Sequence, residues 1–352
     1  MRIAIIVPSL ANKGPVIVAR DICEYLVRLG HACKVFYFDE KEKKDCIEFP
    51  CDSQKISFYK RIDFDSFDVV HVHCLRPALY VACNKMFIKR AECVVTLHQP
   101  ITKAAYTNSG YNSGVATMVS IVSKVVYNRF DCCVVLSEIQ RRLAKDLIGK
   151  RLEVINNGRD VCSAEVCVKD NVAMIKSLAN SYKIVGTASV VNKRKGLDQM
   201  VRALVKLKDF AFVCVGDGPE LPNLKQMAHE LNVAERCLWL GYQADAVNYY
   251  KHFDIFVMCT HSEGYPLALI EAAGNNSACV LSDIEILKQI IPDDSACFYH
   301  LDDVDSLATQ IECAYKEKEV LSGNLFAFYK QHLTADIMGQ RYLDLFKTLV
   351  KG

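Results

Sequence analysis

Two carboxylates, Glu263 and Glu271, bracket the run Gly264-Tyr-Pro-Leu-Ala-Leu-Ile270. Just upstream, the apolar run Asp254-Ile-Phe-Val-Met-Cys-Thr260 reads as a buried strand. Pro266 suits the first position of a helix, where its missing N–H costs nothing. The order strand, short loop, helix puts unpaired backbone N–H groups and a positive dipole end where a phosphate can sit. Glu263 then stands at the helix mouth and Glu271 roughly 7 Å along it, at ~1.5 Å per residue. A diphosphate bound there would have one carboxylate facing a sugar and the other facing a ribose. The helix dipole alone also favours glutamates near a helix start, so the pair needs support from the rest of the chain.

Support comes from Ser189-Val-Val-Asn-Lys-Arg-Lys-Gly196, which links an apolar strand to the next helix. Three successive cations at a helix entrance can neutralise a departing diphosphate. Near the N-terminus, Ser9-Leu-Ala-Asn-Lys-Gly-Pro15 joins the first strand to the first helix and carries Gly14. His71, His73 and His98 all fall at the ends of Val-rich strands. Val215-Gly-Asp-Gly-Pro219 demands a tight turn after another strand, with Gly216 and Gly218 as its hinges. No serine and aspartate accompany the histidines in a hydrolase pattern. The first strand is not followed by the G-x-G-x-x-G of a dinucleotide oxidoreductase. Asp303-Val-Asp305 could suggest a metal, but it opens a helix, where aspartate is a good cap.

These residues need a scaffold that gathers strand ends. Strands are expected at Ile3–Val7, Lys34–Phe38, Val69–His73, Val94–His98, Cys132–Leu136 and Leu152–Ile155. The rhythm restarts with Lys183–Ala188, Phe210–Val215, Cys237–Leu240, Ile255–Cys259, Ala278–Ser282 and Cys297–Tyr299. Helices are expected at Gly196–Lys208, Glu220–Leu231, Ala244–Phe253, Pro266–Gly274 and Val304–Tyr315. Continuous apolar strands separated by helices imply α/β architecture with parallel sheets covered on both faces. The 352 residues suffice for two such domains. A boundary follows Asn156-Asn-Gly158, giving an N-terminal domain over 1–160, joined by a C-terminal helix near 332–352, and a second over 161–331. Two doubly wound domains in tandem lead us to expect a ligand at the carboxyl ends of the strands, in a cleft between them.

Composition narrows the class. Seventeen scattered cysteines in a long chain fit a reducing compartment better than a disulfide scaffold. The opening Met1-Arg-Ile-Ala-Ile-Ile-Val-Pro8 is too short for a signal peptide, and no apolar run is long enough to span a bilayer. The expected location is cytoplasmic. Residues 1–158 hold 23 Lys and Arg against 16 Asp and Glu, whereas the remainder holds 20 against 25. That asymmetry admits either ordinary solvated charge or an anionic membrane face on the first half. Val115–Tyr127 is apolar, with Lys103, Lys124 and Arg129 nearby. It reads as a helix packed on its own sheet, with an interfacial helix as the alternative. Nothing resembles a nucleic-acid-binding surface.

Ser262-Glu-Gly-Tyr-Pro-Leu-Ala-Leu-Ile-Glu-Ala-Ala273 resembles the Glu-x7-Glu element of retaining glycosyltransferases of the GT-B fold, specifically glycosyltransferase family 4. The resemblance covers most of the chain. It implies two Rossmann-like domains facing a cleft, a nucleotide diphosphate sugar as donor, and a hydroxyl of a glycan or lipid-linked acceptor. It implies no cofactor and no metal, with polysaccharide or lipopolysaccharide assembly as the setting. Glu263 would position the sugar hydroxyls and Glu271 the ribose. Lys195, matching the family's Lys-Gly, would hold the donor phosphates with Arg194, and His98 would contact the sugar near the reacting centre. Gly14, Gly216, Gly264, Tyr265, Pro266 and Leu267 would line the donor. The chain departs from the family in two places: Val190 stands where an arginine is usual, and only Gly14 remains of a Gly-Gly turn. Those departures keep open a non-catalytic nucleotide-sugar-binding partner of another transferase.

Overall fold

The computed structural model describes residues 1–39, 46–108, 110–161 and 168–351. The chain divides into two units, one of Met1–Arg159 with Leu333 onward, the other of Asp160–His332. The first is built on seven parallel strands: β1 (Arg2–Ser9), β2 (Ala32–Asp39), β3 (Ser53–Lys55), β4 (Val69–His73), β5 (Glu92–Leu97), β6 (Cys132–Val135) and β7 (Arg151–Val154). Their order in the sheet is β3-β2-β1-β4-β5-β6-β7. Ile5 of β1 sits opposite Val35 on one side and His71 on the other. Every residue of β4 is buried, as a strand covered on both faces requires.

The second unit carries β8 (Lys183–Ala188), β9 (Phe210–Val215), β10 (Cys237–Trp239), β11 (Ile255–Met258), β12 (Ala278–Ser282) and β13 (Cys297–Tyr299). Their order is β10-β9-β8-β11-β12-β13, all parallel. In both sheets the winding reverses beside the first strand, between β1 and β4 and between β8 and β11. Such switch points open a crevice at the carboxyl ends of the strands. Each sheet has its own apolar core. One is centred on Val72, Val95, Tyr80 and Phe130, and the other on Phe212, Val257, Val280 and Leu307.

The C-terminal helix Ala335–Lys351 returns to the first unit and packs on helix Gly14–Arg28. Gly339 lets the two helices close: a Cβ there would collide with the Tyr25 ring. Tyr25 Oη donates to Gln340 Oε1 at 2.5 Å, and Arg28 pairs with Asp336.

Several elements differ from the sequence-based expectation. Strand β3 was not anticipated, and its three exposed residues carry no apolar signal. Residues Ala246–His252 form a 3-10 helix in place of an α-helix. Helix Lys318–His332 was also not anticipated. Helix Ser113–Tyr127 packs only one face: Ala116, Ser120, Ser123 and Val126 are buried, while Met118, Ile121, Val122 and Val125 are exposed.

Candidate active site

The loops that follow β8 and β11 meet because those strands are neighbours. Lys193–Lys195 forms a single 3-10 turn ending at Gly196, whose φ is +59°. A side chain at Gly196 would strike the Cys259 carbonyl at the end of β11, so the Lys-Gly pair has a steric cause. The two loops are then stitched together. His261 N–H donates to Arg194 O at 2.8 Å, Thr260 Oγ1 lies 3.1 Å from the same oxygen, and Arg194 donates to Ser262 O. Gln199 Nε2 adds a bond to Cys259 O.

This stitching brings Glu263 between two cations. Lys195 Nζ lies 2.7 Å from one carboxylate oxygen and Arg194 Nη1 3.0 Å from the other. Thr260 Oγ1 donates a third bond at 2.9 Å. The Glu263 side chain is only 7% exposed. Burial pushes its carboxyl up, but Lys195 and Arg194 together outweigh that and hold it below its ordinary range. The cluster carries two positive charges and one negative, so it keeps a surplus cation. Lys193 beside it is exposed.

Helix Leu267–Gly274 begins immediately beyond. Pro266 is its cap rather than its first residue: its ψ of 119° is extended, which leaves the proline half outside the helix. Among the described residues no side chain caps that end, so its positive pole is open to an acceptor of hydrogen bonds. Tyr265 and Pro266 are buried, whereas Gly264 and Leu267 are partly exposed. Glu271 lies one turn in and accepts from Tyr250 Oη at 3.1 Å.

Gly216 has a φ of +147°, and a Cβ there would collide with Ser189 O; Gly218 approaches Val191 in the same way. These glycines let the turn after β9 lie against the segment leading into Lys193–Lys195. Ser189 N–H and Val191 N–H donate to Val215 O and Asp217 O across that contact. Val190 is 60% exposed. Asp303 caps helix Val304–Lys316 by accepting from the Asp305 and Ser306 N–H groups, which accounts for the Asp-x-Asp motif.

The remaining candidates belong to the first unit. Gly14 is the first residue of helix Gly14–Arg28, so it opens the helix rather than the turn before it. His98 follows β5, and its Nε2 lies 2.9 Å from His73 Nδ1 at the end of β4. His71 and His73 are fully buried. Burial lowers His98 to about 4 and His71 to about 3, and lowers His73 as well, so all three are neutral near pH 7. Cys74, directly after His73, holds a φ of +72°, a strained conformation of the sort that collects near working sites.

Sequence reasoning missed Thr260 and Tyr250. Thr260 stands three residues before Glu263, a spacing that a loop can close. Tyr250 comes from a separate segment and left no local signal.

Residues 13–162 match the family model "Glycosyltransferase Family 4", and residues 169–322 match "Glycosyl transferases group 1". The O-antigen biosynthesis glycosyltransferase WclY of Escherichia coli is 23% identical over the whole of this chain and 99% of its own. A UDP-Gal:alpha-D-GlcNAc-diphosphoundecaprenol alpha-1,3-galactosyltransferase of the same species is 25% identical, covering 71% of this chain and 67% of its own. Among solved structures, HepE of Anabaena in complex with UDP superposes with a TM-score of 0.80 at 16% identity, covering 99% of this chain and all of the other. Sucrose-phosphate synthase of Thermosynechococcus elongatus gives 0.81 at 16%, covering 99% and 98%. The two family models together match most of the chain, and the solved neighbours share the fold; the chain belongs to the GT-B glycosyltransferases of the family 4 type.

Proposed function

We propose that this glycosyltransferase moves a hexose-type sugar from a nucleotide diphosphate donor to a hydroxyl of a glycan or lipid-linked acceptor, with the anomeric configuration retained. The observation that carries the reading is the Lys195–Glu263–Arg194 cluster at the uncapped start of helix Leu267–Gly274. As the bond from sugar C1 to the diphosphate breaks, the leaving oxygen takes the electron pair. Lys195, Arg194 and the helix end are suited to stabilise that charge. The acceptor hydroxyl bonds to C1 on the same face and gives its proton to the departing phosphate. Glu263 orients the sugar hydroxyls, Glu271 holds the ribose, and His98 contacts the sugar. Cations in place of a metal are part of the proposal, and activity in EDTA tests that part.

Names among the relatives favour assembly of an O-antigen or similar surface polysaccharide. Among the described residues no helix is long and apolar enough to cross a membrane, and no disulfide joins the described cysteines. A cytoplasmic enzyme attached peripherally to an anionic membrane would meet a lipid-linked acceptor. The exposed stripe Met118, Ile121, Val122 and Val125 on helix Ser113–Tyr127 supports this. So does the stretch 93–130, which contains Lys103, Lys124 and Arg129 and no acidic residue.

A panel of nucleotide sugars, assayed for hydrolysis without acceptor and transfer with a diphosphoundecaprenol-linked acceptor, tests the reading. Turnover of at least one donor is expected, with the product linkage read by NMR. Binding without hydrolysis or transfer would favour the non-catalytic alternative. An inverted linkage would remove retention from the proposal.

A further inference from the structure

The three histidines of the first unit form a chain rather than three separate residues. His71 Nε2 lies 2.8 Å from Thr96 Oγ1, which lies 2.9 Å from Tyr342 Oη on the C-terminal helix. The His71 ring sits 4.3 Å from that of His73, between centroids. His73 in turn stacks on His98 at 5.1 Å and shares with it the Nδ1···Nε2 hydrogen bond. His73 is fully buried, and its Nε2 has no partner.

A neutral imidazole carries one proton, on one nitrogen or the other. A buried N–H without an acceptor is rarer than a buried acceptor without a donor. The unpartnered Nε2 of His73 therefore favours a lone pair there and the proton on Nδ1. That proton is donated to His98 Nε2. With Nε2 accepting, His98 must carry its own proton on Nδ1, the less common tautomer of an isolated histidine. His98 is half-buried, and among the described residues its Nδ1 meets no partner.

We infer that His73 is a positioning residue, which fixes the ring and tautomer of His98 so that Nδ1–H is presented as a neutral hydrogen-bond donor to the donor sugar. Its value for transfer rests on the proposed function, but the tautomer does not. The C-terminal helix joins in through Tyr342, which holds Thr96 and, through it, the His71 ring against which His73 packs.

Long-range proton–nitrogen NMR on the 15N-labelled full chain at pH 7 reads the tautomer directly. The wild type should show His98 protonated on Nδ1 and His73 likewise. His73→Phe removes the donor and should send His98 toward the Nε2–H form. His71→Phe, equally buried but not bonded to His98, should leave the His98 signals in place. Kinetics on the same proteins should show His73→Phe losing about tenfold in kcat/KM for the sugar donor while its affinity for the nucleoside diphosphate alone is unchanged. A wild-type His98 protonated on Nε2, or one whose tautomer ignores His73→Phe, overturns the inference without any variant having to be active. The expected tautomers in a protein that turns over no nucleotide sugar would instead leave the inference standing and remove the proposed function.

Discussion

Glu263 and Glu271 look alike in sequence but differ in what holds them. Glu263 bridges two cations inside the protein, whereas Glu271 meets a tyrosine hydroxyl and stays partly exposed. Glu271→Ala should therefore weaken nucleoside diphosphate binding by ~1.5–3 kcal/mol, the scale of a charged hydrogen bond, with little change in melting temperature. Glu263→Ala should lower the melting temperature, because it leaves Lys195 and Arg194 facing each other. Calorimetry with nucleoside diphosphates and thermal melts on both variants check this; equal losses of nucleotide affinity would contradict it. Lys195→Ala should cut turnover by roughly 100–1000-fold, as for other groups that stabilise developing charge. The pH dependence follows the same residues. His71, His73 and His98 have lowered values in the folded chain, so stability is full above about 6.5 and falls as the unfolded chain takes up protons below it. Each contributes a slope of up to ~1.4 kcal/mol per pH unit. Glu263, also depressed, adds its loss only below its ordinary value of 4.5. Urea midpoints between pH 7 and 4 should fall steeply, and His73→Phe should flatten the curve. The motif residues themselves were legible, since each sits in a recognisable run. Their pairing was not: Lys195 and Glu263 are 68 positions apart, and only the adjacency of β8 and β11 joins them.

At the scale of elements, strands were legible because buried parallel strands are continuous Val and Ile runs. The failures are those with little apolar signal, such as β3, or with a backbone choice that propensity does not decide, such as the 3-10 turn at Ala246–His252. The glycines explain how loops, rather than strands, were made to meet. Gly196→Ala should cost ~1–2 kcal/mol for the left-handed backbone, plus the displacement of the Cys259 carbonyl. Lys195 would move with it, so activity should fall together with stability. Gly30 has a φ of +80° but nothing near its would-be Cβ, so Gly30→Ala should show the backbone cost alone and normal activity. Chemical denaturation of the two variants, with donor turnover on the same samples, separates packing from strain. Similar losses of activity in both would contradict the steric account of the Lys-Gly pair.

At the scale of the whole molecule, charge follows the two units more sharply than the two halves of the sequence. The first unit holds 27 Lys and Arg against 18 Asp and Glu, the second 16 against 23. Binding to liposomes should require anionic lipid and fall with salt, each cation near the surface adding about 1 kcal/mol. Val125→Asp should abolish it without altering nucleoside diphosphate affinity. Salt-independent binding, or none by the wild type, would leave the apolar stripe of helix Ser113–Tyr127 without this role. The return of helix Ala335–Lys351 to the first unit has a consequence in time. The second unit is an insertion, complete once His332 has been made, while the first still lacks Tyr342 beneath Thr96 and Gly339 against Tyr25. At about 5–20 residues per second, synthesis of the insertion takes roughly 9–35 s, during which the earlier sheet waits with one flank uncovered. The half that emerges first should be the last to finish. Protease pulses on released chains truncated after residue 332 should cut the first unit and spare the second.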